Sequence, residues 1–428
     1  MIQIGINIAV KGESITAVPV YFTTTWTTTA PNETITLPYD AAGTYSGSID
    51  WGDSSTDVNS FANSSHTYAL AGTYTVQIIG DCIGWNFGAY SGSTYITSVV
   101  HWGQLELGAD TGSYFSGCVN LDLSSVSDVL DLTGITTLMF MFDSSSITTI
   151  NNINLWNTSS ITSVSNMFFN ATAFNQSLSF DTSAVTIMGG MFAGASSFNQ
   201  LLLFDTSNVT NMGGMFQNAS SFNQSLSTFD TSNVTQMGFM FQNASSFNQS
   251  LSTFDTSNVT KMGSMFQNAS SFNQSLSTFD TSNVTNMPFM FRNASSFNQS
   301  LSTFDTSNVI NMGGMFQNAS SFNQSLSTFD TSNVTKMGSM FNGADAFDQN
   351  IGSWDVANVI NFLTFMNSKT PATFSTANLD AIYNGWSASG VQANCNISFG
   401  TAKYTVAASA GRAILTGVNT WTITDGGL

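Results

Sequence analysis

The residues in this chain with the most evident chemical potential are a regular series of carboxylates. Asp230, Asp255, Asp280, Asp305 and Asp330 recur every 25 residues, and paired carboxylates at a suitable separation cleave glycosides. Each of these aspartates is followed by Thr-Ser-Asn, a turn composition in which Asp and Asn side chains bond their own backbone. The series therefore reads as structural and the chain as a non-enzyme, with a polysaccharide-cleaving enzyme as the distant alternative. Asp50, Asp53, Asp57 and Asp81 are a second acidic group. A hard cation such as Ca2+ wants several such oxygens, against which turn and strand-end structure is the plainer reading, so no cofactor or metal is assigned. Two histidines, His66 and His101, leave little for acid–base or metal work. Cys82, Cys118 and Cys395 form no CxxC pair, which indicates neither a zinc site nor a disulfide framework. The Asn-x-Ser/Thr tripeptides, such as Asn233-Val-Thr and Asn243-Ala-Ser, are formal glycosylation acceptors, but they belong to the repeat itself.

More informative are the positions that differ between otherwise nearly identical copies. Gln236, Lys261, Asn286, Asn311 and Lys336 share one offset. Phe239, Ser264, Phe289, Gly314 and Ser339 share another, and Arg292 replaces a Gln. Exchange among Lys, Asn and Gln is tolerated where a side chain meets solvent, so these residues mark an exposed face on which Phe239 and Phe289 are unusual. Gln236, Phe239, Lys261, Ser264, Asn286, Phe289, Arg292, Asn311 and Lys336 are the candidate ligand-facing stripe for a glycan or protein. Neutral drift after duplication is the competing explanation.

The element that must position this stripe is the repeat. The 25-residue unit Phe222–Ser246 recurs from Phe247 with only Gln236→Lys261 and Phe239→Ser264 changed. Looser copies extend the series to about ten or eleven coils, a degenerate one placing Cys118 at a small-residue core position. One such unit cannot bury its own apolar face and does so only by stacking. Phe222, Leu226, Phe229, Val234, Met237, Phe241 and Ala244 are expected inside, with Asn and Thr at fixed offsets forming ladders. Phe222 to Phe229 reads as a short strand, Asp230-Thr-Ser-Asn as a turn, and Met237 to Ala244 as a short helical segment. Pro288 suits the first turn of such a helix, where no N–H partner is needed.

Composition agrees. Of 428 residues only 7% are charged, against about 25% in ordinary soluble domains, while 42% are apolar. Stacked Phe and Met with uncharged ladders account for both figures. A formal charge of −18 from 7 basic and 25 acidic residues disfavours nucleic acid and anionic membranes as partners. No stretch approaches about 18 consecutive apolar residues, so membrane insertion is not expected. At the N-terminus Ile2, Ile4, Ile6, Ile8 and Val10 alternate with small or polar residues, the period of a half-buried strand. They are the candidate docking or subunit-association residues.

The run Phe-Asn-Gln-x-Leu-x-x-Phe/Trp-Asp-Thr-Ser-Asn-Val-Thr-x-Met-x-x-Met-Phe-x-x-Ala, best seen at 222–244, resembles the BspA-type leucine-rich-repeat surface proteins. Trp51-Gly-Asp53, His66-Thr-Tyr68 and Gly72-Thr-Tyr-Thr-Val76 resemble the signature of PKD-type Ig-like β-sandwiches, and 379–427 resembles the closing module of the same proteins. The resemblance implies a mainly β fold with short helical segments: a leucine-rich-repeat-type solenoid, an Ig-like/PKD-like β-sandwich before it and a small α+β C-terminal module after it. The expected divisions are 1–22 as docking segment, 23–93 as sandwich, 94–369 as solenoid and 370–428 as capping module.

The family implies non-catalytic adhesion and recognition. Met1 to Lys11 lacks the pattern of a signal peptide and no sorting tail is evident, which favours a phage virion fibre, spike or decoration protein over a bacterial cell-surface adhesin. The expected partners are other virion proteins or its own subunits through the N-terminus, and a host surface glycan or protein through the repeats.

Overall fold

A computed structural model of the chain describes residues 21–88 and 91–428. The alternating segment with Ile2, Ile4, Ile6, Ile8 and Val10 lies outside the described residues. The fold is mainly β with few helices, and it divides into two compact units, one ending at Ala184 and one spanning Val185–Leu428.

The first unit opens with strands β1 (Phe22–Thr28), β2 (Glu33–Thr36), β3 (Tyr39–Tyr45), β4 (Ser48–Asp50), β5 (Thr56–Val58), β6 (Ser65–Tyr68), β7 (Gly72–Ile79), β8 (Cys82–Trp85), β9 (Ile96–His101) and β10 (Leu105–Glu106). The order β5-β4-β7-β1-β9 makes a five-stranded sheet, β10-β8-β3 a three-stranded one, and β2 pairs with β6. In β1 Phe22, Thr23 and Thr24 are all buried, and from Thr25 on alternation sorts the side chains: Trp26 and Thr28 are buried, Thr25 and Thr27 half-buried. Trp26, Tyr39 and Trp85, all fully buried, form an edge-to-face aromatic centre with Phe22. Strand β9 then leads into the first repeats through parallel bridges Ser98–Asp122, Leu123–Ile150 and Thr137–Ser163.

In the second unit successive copies stack in parallel. Bridges join Ile187, Asn211, Gln236, Lys261, Asn286, Asn311, Lys336 and Asn361 in one column. Every side chain expected inside is buried, and Met240 joins them. The rings of Phe216, Phe241, Phe266, Phe291, Phe316 and Phe341 stack face to face at 5.6 to 5.8 Å. Phe222 to Phe347 form a second column at 5.9 to 6.1 Å. Burying each ring is worth roughly 2 kcal/mol, which makes these columns the main cohesion between copies.

The local elements differ from the expectation. Residues 222–229 are not a strand. There a carboxamide does the pairing: Asn248 N–H donates to Asn223 Oδ1 at 2.9 Å, and the same pattern recurs from Asn199 to Asn323. Nor is 237–244 helical. Alternate amides donate to the next copy instead of to their own turn: Met237 to Lys261 O, Phe239 to Gly263 O, Phe241 to Met265 O and Asn243 to Gln267 O. Two left-handed residues per copy, such as Phe239 (φ 63) and Asn243 (φ 60), stop any right-handed run. Pro288 fits because its position lies between the donating amides. It keeps the carbonyl that accepts Ser264 N–H, while Gly213 and Gly313 spend the corresponding N–H on Asn211 and Asn311 side chains.

Polar ladders complete the stack. Thr231, 1% exposed, donates to Asp255 O at 2.8 Å, as its counterparts do from Thr206 to Thr331. Asn233 reaches Ser207 O at 2.7 Å, again repeated copy by copy. The last copy meets helix α1 (Thr376–Trp386) and the parallel pair β11 (Asn396–Ser398) and β12 (Thr422–Thr424), joined by a Phe362–Ile397 bridge.

Candidate ligand-facing surface

The outer side of the 236–243 ladder carries the varied positions. Gln236, Lys261, Asn286 and Lys336 are exposed, and Asn311 is half-buried because its carboxamide caps Gly313 N–H. Phe239 is 49% exposed and Phe289 37%. Ser264 departs from the expected stripe: it is 4% exposed, one copy beyond Phe239 in the same column. The next pair in that column shows the geometry. A Cβ on Gly314 would come within 2.4 Å of a Phe289 ring carbon, so that ring lies flat over the following copy and leaves no room there for a side chain.

That column is left-handed throughout: Gly190, Gly214, Phe239, Ser264, Phe289, Gly314, Ser339 and Thr364 all have φ between 56° and 65°. Glycine adopts this conformation freely, whereas a Cβ costs roughly 1–2 kcal/mol. Phe239 and Phe289 are therefore exposed aromatics held where the backbone disfavours them. The alternation of Gly with Asn, Ser and Phe at fixed offsets was the sequence signal for these columns.

Arg292 breaks a second pattern. Gln217, Gln242 and Gln267 pass a hydrogen bond from amide to carbonyl across copies, the second of them at 3.0 Å. Arginine has donors but no acceptor and cannot continue the chain. Its guanidinium instead sits 5.4 Å from the centre of the Phe289 ring, with Nε buried and without a partner.

The repeated aspartates are spent on their own turns. Ser232 donates from Oγ (2.7 Å) and N (2.9 Å) to Asp230 Oδ1, and these bonds hold the carboxyl below its ordinary value. Asp205, Asp255, Asp305 and Asp330 are depressed by the matching serine. A general acid needs the opposite shift. The carboxylates weighed for calcium are engaged as well. Asp50 accepts Gly52 N–H, Asp53 accepts from Ser55 and pairs with His66 at 2.9 Å, Asp57 accepts the Trp51 indole, and Asp81 accepts from Ser46. They do not converge, and among the described residues no group of three or more His, Cys, Asp or Glu is placed to hold a metal. All three cysteines are buried thiols whose pKa burial raises.

Two features were not anticipated from sequence. A half-open cleft of about 640 Å³ in the first unit is lined by Thr27, Thr29, Glu33, Thr94, Tyr95, Thr97 and Asn120. Its carboxylate is occupied by Thr29 and Ala30 amides, and no second acid lines it. Lys369 is 1% exposed, with Nζ donating to the carbonyls of Ala344, Asp345 and Phe347 at 2.5, 3.1 and 2.6 Å.

A family described as Mycoplasma protein of unknown function, DUF285, matches three overlapping stretches, 136–226, 201–288 and 273–381. The chain belongs to this family. The three matches fall on the tandem repeats, as a BspA-type repeat protein requires. No curated protein matches the chain.

Proposed function

We propose that this DUF285 protein is a non-catalytic adhesion and recognition protein, carried on a phage particle as a fibre, spike or decoration protein. Its repeats would form a leucine-rich-repeat-type solenoid that presents the 236–292 face to a host surface, preceded in sequence by an Ig-like, PKD-type sandwich. The observation that carries the recognition reading is the pair of exposed aromatics, Phe239 and Phe289, kept in a left-handed column whose flanking copies carry Gly214 and Gly314 and whose intervening copy carries Ser264. Residues that break a local rule without stabilising the fold cluster at functional sites. Uncharged ladders support the display role, because a stack satisfied by Asn and Thr holds together without ion pairs that salt would weaken.

Two measurements test this reading. Mass spectrometry of purified particles should recover the chain as a virion component; recovery from the bacterial surface fraction instead would make it a cell-surface adhesin. The full chain should bind host cells, and F239G/F289G should bind less. Equal binding by the variant would refute the assigned face, and turnover of host polysaccharide would refute the non-catalytic role.

A further inference from the structure

The charges of the described residues are not evenly spread. Lys369 is buried among carbonyls, Arg412 pairs with Asp425 at 2.7 Å, and Lys403 donates to Leu428 O at 2.6 Å. The remaining cations, Lys261, Arg292 and Lys336, form no ion pair among the described residues. All three stand at the varied offsets of the repeat, on the side that carries Phe239 and Phe289. In a chain of net charge −18, the free positive charge of the described residues is thus gathered on one face, while the turn aspartates are engaged elsewhere on each copy.

We propose that this face binds a carboxylate-bearing glycan chain laid along the stack, with sugar rings on Phe239 and Phe289 and an acid group on Arg292. This deepens the recognition reading above and rests on it. Three observations converge. First, Phe239 and Phe289 are exposed aromatics, at 49% and 37%, Phe289 with one side packed against Gly314, and an aromatic face carries the negative part of the ring quadrupole, which attracts the C–H face of a sugar. Second, the two rings are two copies apart. Parallel bridges join their copies through Gln236, Lys261 and Asn286, so at about 4.8 Å per bridged copy they stand about 10 Å apart along the stack, comparable with two sugar units of an extended chain. Third, Arg292 replaces a self-satisfying glutamine with a fork of donors that lacks a carboxylate, beside the second ring. Guanidinium groups recognise carboxylates bidentately. A linear polymer with a repeating unit also suits a surface that itself repeats.

The repeat supplies its own controls, because neighbouring copies carry Gln267 and Gln317 at the Arg292 offset, and Gly214 and Gly314 stand beside Phe239 and Phe289 at theirs. R292Q and F239G/F289G restore residues that the stack already accommodates, so folding is retained. The full-length protein and both variants are run by affinity electrophoresis through polygalacturonate, alginate and hyaluronate, with neutral galactan and dextran as counterparts. The wild type should be retarded by at least one acidic polymer and about ten-fold less by the neutral ones. R292Q should lose that preference, and F239G/F289G should lose retardation altogether. Equal retardation by acidic and neutral polymers, or an unchanged R292Q, overturns the acidic-glycan assignment. No retardation by any acidic polymer, with host-cell binding intact and lost in F239G/F289G, also overturns it in favour of a protein ligand and leaves the recognition reading standing. Loss of neither glycan nor cell binding in F239G/F289G overturns both.

Discussion

Asn273 offers the sharpest test of how the copies hold together. Its Oδ1 accepts the Asn298 amide at 2.9 Å and Gln299 Nε2 at 3.0 Å, both from the following copy. Net hydrogen bonds contribute about 0.5–1.5 kcal/mol each, and stranding a partly buried donor adds to the loss, so N273A should cost roughly 2 kcal/mol. N273D should behave differently, because both bonds need only an acceptor and a carboxylate supplies one. The chain makes this substitution itself at the end of the column. Asp348 accepts Asn323's counterpart bonds from the helix side, Ser375 N–H at 2.9 Å and Asn378 Nδ2 at 2.7 Å. Stacked repeats need not unfold in one step, so the assay is native-state hydrogen exchange at the Asn298 amide alongside urea denaturation. Protection at Asn298 should fall about 30-fold in N273A, equivalent to about 2 kcal/mol, and by less than about three-fold in N273D. Equal losses in the two variants would refute the acceptor ladder, and a negligible loss in N273A would show that ring stacking alone sets the register.

Three further outcomes follow from the geometry. Asp230, Asp255, Asp305 and Asp330 have folded pKa values below the ordinary 3.8, so their contribution is present above that value and lost as the pH falls below it. S257A should shift the NMR titration of Asp255 upward and reduce the acid sensitivity. Burial lowers the Lys369 ammonium to about 8 against Asp345 and Asp348, which oppose the shift. The unfolded chain then binds more protons between about 8 and 10.5, so Lys369 should make stability rise with pH in that window. The wild-type minus K369M difference, measured by urea titration from pH 7 to 10.5, should show this rise, while K369M should be about 2–4 kcal/mol less stable at pH 7 because several buried carbonyls lose their donor. G314A places a Cβ at positive φ against the Phe289 ring and should cost about 2 kcal/mol or more. In a F289G background the cost should shrink toward the backbone part alone, which a double-mutant cycle measures.

Much of the repeat was legible because one constraint acts on every copy. A side chain that points inward in one coil does so in all, so Phe222, Leu226, Val234, Met237 and Phe241 could be placed by period alone, and they are buried without exception. The turn role of Asp230 was legible for a similar reason, since Asp-Thr-Ser is a local motif that closes on itself at Ser232. The stripe was legible in position but not in exposure. Sequence variation marked Ser264, yet its burial is decided by its place in a column whose other members include Phe239 and Phe289, and this needs the register between copies.

Sequence by itself determined the period, the inward faces, the uncharged composition and the family's repeat, all properties of a single unit copied along the chain. The tertiary structure decided what lies between units. Carboxamides rather than backbone join residues 222–229, because a side chain can bridge where the backbone amides do not pair directly. Turns with left-handed residues replace the expected helix at 237–244, because every other amide donates to the next copy and the amides between them close short turns within their own copy. It also decided that Lys369, a surface-type residue by composition, is buried beyond the last repeat, where the carbonyls of Ala344 and Phe347 take an ammonium as their donor.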